Sequence, residues 1–292
     1  MSTSFSHEIT LIVLKLMGVK KAFSRDPLDF KKIRKQDVHD PKSAFFKKSS
    51  KQFSIANSTI TEVNPELPAK KFVLFVHGGA FVSGPARHHW DVIRKISEES
   101  SDMVWICNYP KAPESDIREI SKNIGEVYKR ALEKFSDHEI TLIGDSVGGT
   151  LIAALTQRLI QHQEKLPKRL IIVSPVMDAT MANQAIDPID SIDPMLSKKG
   201  ILSAKKMCAV DMDLSNTMIS PLNGSFEGFP STMIFLASHD ITYPDQKLAV
   251  AKMKKAKVDV EVIEGENMPH IWPFLPVMKE AKLAFQEILN RL

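Results

Sequence analysis

A serine set among glycines is the sharpest chemical feature of this 292-residue chain. The segment Gly144-Asp145-Ser146-Val147-Gly148-Gly149 fits G-x-S-x-G. It lies between the apolar run Ile140-Thr141-Leu142-Ile143 and a helical stretch reaching to about Gln163. Such a strand-turn-helix junction can hold a serine hydroxyl exposed on a tight turn, because the flanking glycines remove Cβ atoms that would collide there. The helix N-terminus behind it offers amide hydrogens and a positive dipole end to developing negative charge. The chemistry this implies is acyl transfer, with Ser146 as nucleophile. Donors for the oxyanion are expected in His77-Gly78-Gly79-Ala80-Phe81, a glycine loop directly after the apolar run Phe72-Val73-Leu74-Phe75-Val76. The amides of Gly78, Gly79 and Val147 are assigned that role, and His77 is expected to brace the loop.

A serine nucleophile needs a base, and in this arrangement the acid and then the base follow it in the chain. The chain has nine histidines. His7 and His39 fall in a polar N-terminal region, His88 and His89 open a helix, and His138 and His162 flank helices. His239 adjoins a candidate acid and should point away from it. His270, in Asn267-Met268-Pro269-His270-Ile271-Trp272, lies between the last apolar run and the last helix, where a base can reach back over the sheet edge. The acid must follow Met233-Ile234-Phe235-Leu236, and Asp240 and Asp245 both do. Asp240 is nearer the strand end and is expected to orient His270, whereas Asp245 reads as an N-cap of a helix over 246–255.

The elements that must position these residues follow from the hydrophobic pattern. Residues 52–63 alternate like a strand pair, and short continuous apolar runs recur at 72–76, 104–106, 140–143, 170–173, 233–236 and 258–263. Helical periodicity falls between them, at about 114–135 and 146–163, and again after the last strand at 277–292. Continuous apolar strands alternating with helices predict an α/β fold with a mostly parallel sheet covered on both faces. Residues 176–229 break the rhythm with Asp187-Pro188, Asp193-Pro194 and short helical pieces. So long an excursion predicts a functional cap or lid.

Composition removes other classes. With 43% apolar and 25% charged residues the chain is neither disordered nor fibrous. Cys107 and Cys208 stand alone in apolar stretches, so no disulfide scaffold or zinc site is encoded. Residues 1–72 carry 14 Lys/Arg against 7 Asp/Glu, and the remainder is slightly acidic. That basic start lacks the aromatics or recognition motif of a nucleic-acid binder, and it reads as a solvated face. Ile9, Ile12, Val13, Leu16 and Met17 recur at helical spacing beside Lys15, Lys20 and Lys21. Membrane contact is nonetheless not expected, no run reaches the roughly 20 apolar residues of a span, and no signal peptide is apparent. A cytoplasmic protein is expected.

At this point the chain resembles the hormone-sensitive-lipase-like carboxylesterases of the α/β-hydrolase superfamily. The markers are His77-Gly78-Gly79, Tyr109-Pro110-Lys111-Ala112-Pro113-Glu114, Gly144 to Gly149, Ser174-Pro175, Asp193-Pro194-Met195-Leu196, Ser220-Pro221-Leu222, Asp240 and His270. They lie in the family's order from about residue 72 to 272. The resemblance implies a single α/β-hydrolase domain over 1–292, with a core at about 52–175 and 230–292 and a cap from about 1–50 and 176–229. It implies a serine carboxylesterase acting on a small-molecule ester through an acyl-enzyme, with no metal or organic cofactor, and it is compatible with a homodimer. An amide, formamide or acetyl-group hydrolase would use the same triad, and a receptor on this fold would be expected to have lost it. Phe81, Met195, Leu196, Ile271 and Trp272 are candidates for lining the substrate pocket. Three departures stand out: Ala80 where the family has a third glycine, Val147 where it has alanine, and one extra residue between Asp240 and Asp245. A β-branched Val147 beside the nucleophile is expected to crowd the acyl pocket and favour small acyl groups.

Overall fold

The structure, a computed structural model, describes residues 4–63, 71–100, 102–135 and 139–292. His138 lies outside the described residues. Eight strands form one sheet: β1 (Ser50–Ile55), β2 (Ser58–Val63), β3 (Phe72–Val76), β4 (Met103–Asn108), β5 (Ile140–Asp145), β6 (Arg169–Val173), β7 (Ser231–Ala237) and β8 (Val260–Gly265). Their order is β1-β2-β4-β3-β5-β6-β7-β8. β2 pairs antiparallel with both β1 and β4, and every pairing from β4 to β8 is parallel. The α/β fold read from the alternating pattern is therefore the fold of the protein.

Helices account for the continuous apolar strands, since a parallel sheet buried on both faces has no wet side to leave polar. α1 (Phe5–Leu16), α2 (Val19–Ala22), α3 (Phe30–Ile33) and α4 (Ala44–Ser49) precede the sheet. α5 (Arg87–Ser100), α6 (Ile117–Lys134) and α7 (Val147–Gln161) alternate with its first parallel strands. α8 (Ile186–Ile192) and α9 (Lys198–Ala209) occupy the excursion after β6, and α10 (Tyr243–Lys255) and α11 (Lys279–Leu289) complete the chain. β3, β5 and all but the first residues of β6 and β7 are buried.

The excursion and the N-terminal helices meet each other. A Cβ on Gly200 of α9 would lie 1.8 Å from the Phe23 carbonyl oxygen, so only glycine permits that approach. The Leu28 amide donates to Ser203 Oγ at 3.0 Å, and Lys20 Nζ donates to the carbonyl oxygens of Asp190 and Asp193. No helix among the described residues is long and apolar enough to cross a membrane.

The β5–α7 junction is the tightest point of the sheet. A Cβ on Gly148 would stand 1.9 Å from the Val76 carbonyl oxygen, and one on Gly144 would stand 2.6 Å from the Gly148 carbonyl. Gly148→Ala is accordingly expected to cost roughly 3 kcal/mol, because the colliding atom is strand backbone rather than a movable side chain. Urea unfolding of the purified variant would show this as a lower midpoint with an unchanged slope.

Candidate active site

Ser146 joins β5 to α7 at φ 52°, ψ −123°, a conformation L side chains rarely adopt. Its amide donates to the Val173 carbonyl at 2.8 Å, and its own carbonyl accepts from the Thr150 amide at 3.2 Å. The turn is thus over-determined from both sides, and it sets the Ser146 side chain on the wall of a cavity of about 440 Å³.

The expected base, His270, and the expected acid, Asp240, follow the carboxyl ends of β8 and β7. His270 Nδ1 lies 2.6 Å from Asp240 Oδ2, with Asp240 fully buried and His270 only 4% exposed. His270 lines the same cavity as Ser146. Asp240 Oδ1 accepts from the Thr242 amide at 2.8 Å, which fixes the carboxylate. The Ile271 backbone, at φ 51°, donates its amide to Ser174 Oγ at 3.0 Å and locks the loop behind the imidazole. Burial alone would push the His270 pKa down, but the Asp240 carboxylate outweighs it and holds the imidazole above its ordinary value. Asp245 lies elsewhere: it sits in the first turn of α10 rather than capping it, and its carboxylate accepts from Asn183 Nδ2 at 2.8 Å.

A second carboxyl group stands beside this pair. Asp193 is buried, and its Oδ1 accepts from the Met195 and Leu196 amides at 2.7 and 2.8 Å, while Oδ2 accepts from the Ile241 amide at 2.9 Å. Burial and the Asp240 charge raise its pKa to about 7. Asp193 therefore ties the excursion after β6 to the loop that carries Asp240.

The glycine loop departs from the expected donor set. The Gly78 amide donates to Asp145 Oδ1 at 3.0 Å, so it is engaged and faces away from an incoming oxyanion. Gly79 and Ala80 follow at φ 118° and 55°, and among the described residues no acceptor meets their amides. The same holds for Val147, the first residue of α7, where a helix leaves its leading N–H groups unpaired. Three free amides, Gly79, Ala80 and Val147, replace the set Gly78, Gly79 and Val147. The sequence pointed to the two glycines rather than Ala80 because the engagement of the Gly78 amide by Asp145 is a contact between distant residues.

His77 braces this loop from beneath. Its Nδ1 lies 2.6 Å from the Gly78 carbonyl oxygen and its ring stacks on Tyr109 at 4.5 Å, while the Tyr109 hydroxyl donates to the His77 carbonyl at 2.9 Å. Burial holds its pKa well below the ordinary value, so the ring is neutral. His88, His89 and Asp145 bring potential ligand atoms within 4.8 Å of one another, the candidate metal-holding group among the described residues. His89 is already committed to hydrogen bonds: Nδ1 accepts from the Ala86 amide at 2.8 Å and Nε2 meets Asp145 at 3.3 Å. The arrangement suits a proton-bearing network that fixes Asp145 under Gly78. His7, from the polar N-terminal region, is buried, with Nε2 3.0 Å from the Asn267 carbonyl oxygen.

Of the five expected lining residues, Met195, Leu196 and Ile271 border the cavity. Phe81 and Trp272 do not. Phe81 is buried under Lys205, whose Nζ lies 4.2 Å from the ring centre, and Trp272 is held in the core by its Nε1 donating to the Leu236 carbonyl at 3.0 Å. Val147 is also buried in the core with its side chain off the cavity wall, so it does not crowd the acyl space. The lining that the sequence did not single out comes from α1 and its neighbourhood, including Ile9, Val13, Met17 and Ile33.

A strained serine on a strand-to-helix turn, an imidazole held by a buried carboxylate, and free amides beside them are an arrangement able to carry nucleophilic acyl transfer. The family model described as the alpha/beta hydrolase fold matches residues 73–274. The chain belongs to the α/β-hydrolase family. Among curated proteins it is 29% identical over 201 residues to an esterase of Acinetobacter venetianus, covering 68% of this chain and 66% of that protein's length. It is 27% identical over 229 residues to Esterase LipU of Mycobacterium tuberculosis, covering 75% and 74% of the two chains. The structure of an esterase/lipase from an uncultured bacterium superposes with a TM-score of 0.86 at 22% identity, over 98% of this chain and 97% of the other, a likeness of fold.

Proposed function

We propose that the protein hydrolyses carboxylic esters of small amphiphilic molecules by acyl transfer to Ser146. His270 takes the Ser146 proton as the carbonyl is attacked and returns it to the leaving alcohol, and water repeats the cycle on the acyl-enzyme. Asp240 orients His270 and stabilises the imidazolium. The amides of Gly79, Ala80 and Val147 hold the oxyanion, where fixed dipoles in a dry site act with little reorganisation. The single observation that carries this reading is the 2.6 Å contact between His270 and Asp240 on the cavity that Ser146 also lines. The N-terminal helices and residues 176–229 form the cap over that cavity.

The expectation of a short acyl group rested on Val147, and the buried position of that side chain removes its basis. Acyl length is set instead by the apolar cavity bordered by Ile9, Val13, Met195, Leu196 and Ile271. On p-nitrophenyl esters from acetate to laurate, kcat/KM is expected to rise beyond acetate and fall only for the longest chains. Val147→Ala should leave that profile unaltered while lowering stability by about 1 kcal/mol. A profile that peaks at acetate and broadens in Val147→Ala would restore the crowding account. The matching p-nitroanilides, run in parallel, test whether amides are hydrolysed as well.

A further inference from the structure

The least conventional surface of the molecule is α1. Ser4 caps it, and its inward residues His7, Thr10 and Leu14 are buried against the body. Ser4 also donates to Glu280 in the first turn of α11, so the helix is anchored at its start. Outward stand Phe5, Ile12, Leu16 and Met17, exposed to 76%, 58%, 81% and 66%, together with the partly exposed Ile9 and Val13. At 100° per residue, Phe5, Ile9, Ile12 and Leu16 share one stripe, and Val13 and Met17 stand beside it. A soluble protein rarely leaves so many large apolar side chains adjacent and uncovered unless they meet something.

Two further observations say what they meet. The stripe is continuous with the active-site cavity: Ile9, Val13 and Met17 are exposed on one side and line the cavity on the other, and exposed Val277 borders the same opening. The surroundings are cationic. Lys15 and Lys21 are exposed at the end of α1 and on α2, and exposed Lys32 and Lys35 flank the cavity-lining Ile33 and Gln36, against the exposed acids Glu8 and Asp26 and the half-buried Asp29. An apolar face rimmed by lysines is the pattern of a helix lying in the headgroup region of an anionic lipid layer.

We infer that α1 is an interfacial docking helix, which seats the cavity mouth on an anionic lipid surface and admits amphiphilic esters directly from that layer. The inference rests on the ester-hydrolase reading and names where its substrate comes from. Ile9, Val13 and Met17 then form a continuous apolar path from acyl-chain depth to Ser146, so a lipid ester leaves its layer without crossing water. The lysines confine binding to negatively charged surfaces and make it weaken as salt screens them.

The test uses flotation with vesicles of phosphatidylcholine alone or mixed equally with phosphatidylglycerol, and the double variant Phe5→Ser/Leu16→Ser, whose side chains stand outside the cavity. The wild-type chain should float with the anionic vesicles, less with the neutral ones and less at high salt. The double variant should lose roughly tenfold or more in partition while hydrolysing soluble p-nitrophenyl acetate like the wild type. Equal flotation of variant and wild type, or no flotation with either vesicle, overturns the inference. So does a wild-type dimer in light scattering that the double variant dissociates, without vesicle binding, since the face would then belong to a second copy. Vesicle binding without any acetate turnover would leave the docking surface standing and refute the ester reading alone.

Discussion

Ser146→Ala is expected to abolish ester hydrolysis, with kcat falling on the order of 10⁵-fold or more, and to eliminate covalent labelling by a fluorophosphonate. The size follows from the part the oxygen plays in the proposed reaction: Ser146 Oγ would form the bond to carbon, and its loss leaves no nucleophile on the turn. Alanine tolerates φ 52° no worse than serine does, so the turn should persist. Equal melting temperatures for the variant and the wild type would establish this. Removing His270 as well should add little, because nucleophile and base act as one unit. A fully active, unlabelled Ser146→Ala would mean that the strained turn is only architectural and that ester hydrolysis does not pass through Ser146.

The parts of this site that the sequence revealed are those governed by local backbone geometry. G-x-S-x-G reports a steric fact, that a Cβ at Gly148 would strike Val76, so the tight turn at Ser146 was legible from a few residues. The sheet was legible because each strand is a short apolar run closed by a turn, and the pairing of 50–55 with 58–63 follows from alternation alone. His270 was reached by its place after the last strand.

Long-range geometry was less legible. Gly78 and Gly79 are indistinguishable in sequence, yet one amide meets Asp145 from a different strand and the other stays free. Phe81 and Trp272 sit next to functional residues in the chain, but positive φ at Phe81 and a hydrogen bond from Trp272 to β7 turn them into the core. The amphipathic pattern of α1 was visible as periodicity. Only the structure shows that its buried side is the narrow one and that its apolar side opens on the cavity.

Asp240→Asn is the second large effect, and the pH dependence gives it a distinctive form. In the wild type the His270 imidazole must be neutral to accept the Ser146 proton, so kcat/KM should rise with pH through an apparent pKa above the ordinary histidine value and stay level beyond it. Asparagine removes the charge that raises that pKa and leaves the burial that lowers it, so the acid limb should move to lower pH. The plateau should fall about 10⁴-fold, since an amide at this position favours the wrong imidazole tautomer. Asp193 does not substitute, although it lies beside Asp240: both of its oxygens are fixed by the Met195, Leu196 and Ile241 amides, and turning toward His270 would leave buried N–H groups unpaired. Asp245→Asn loses only its contact with Asn183 and should keep both the plateau and the position of the limb. A small loss in Asp240→Asn together with a large one in Asp245→Asn, read from the same pH profiles, would transfer the role to the residue farther along the chain.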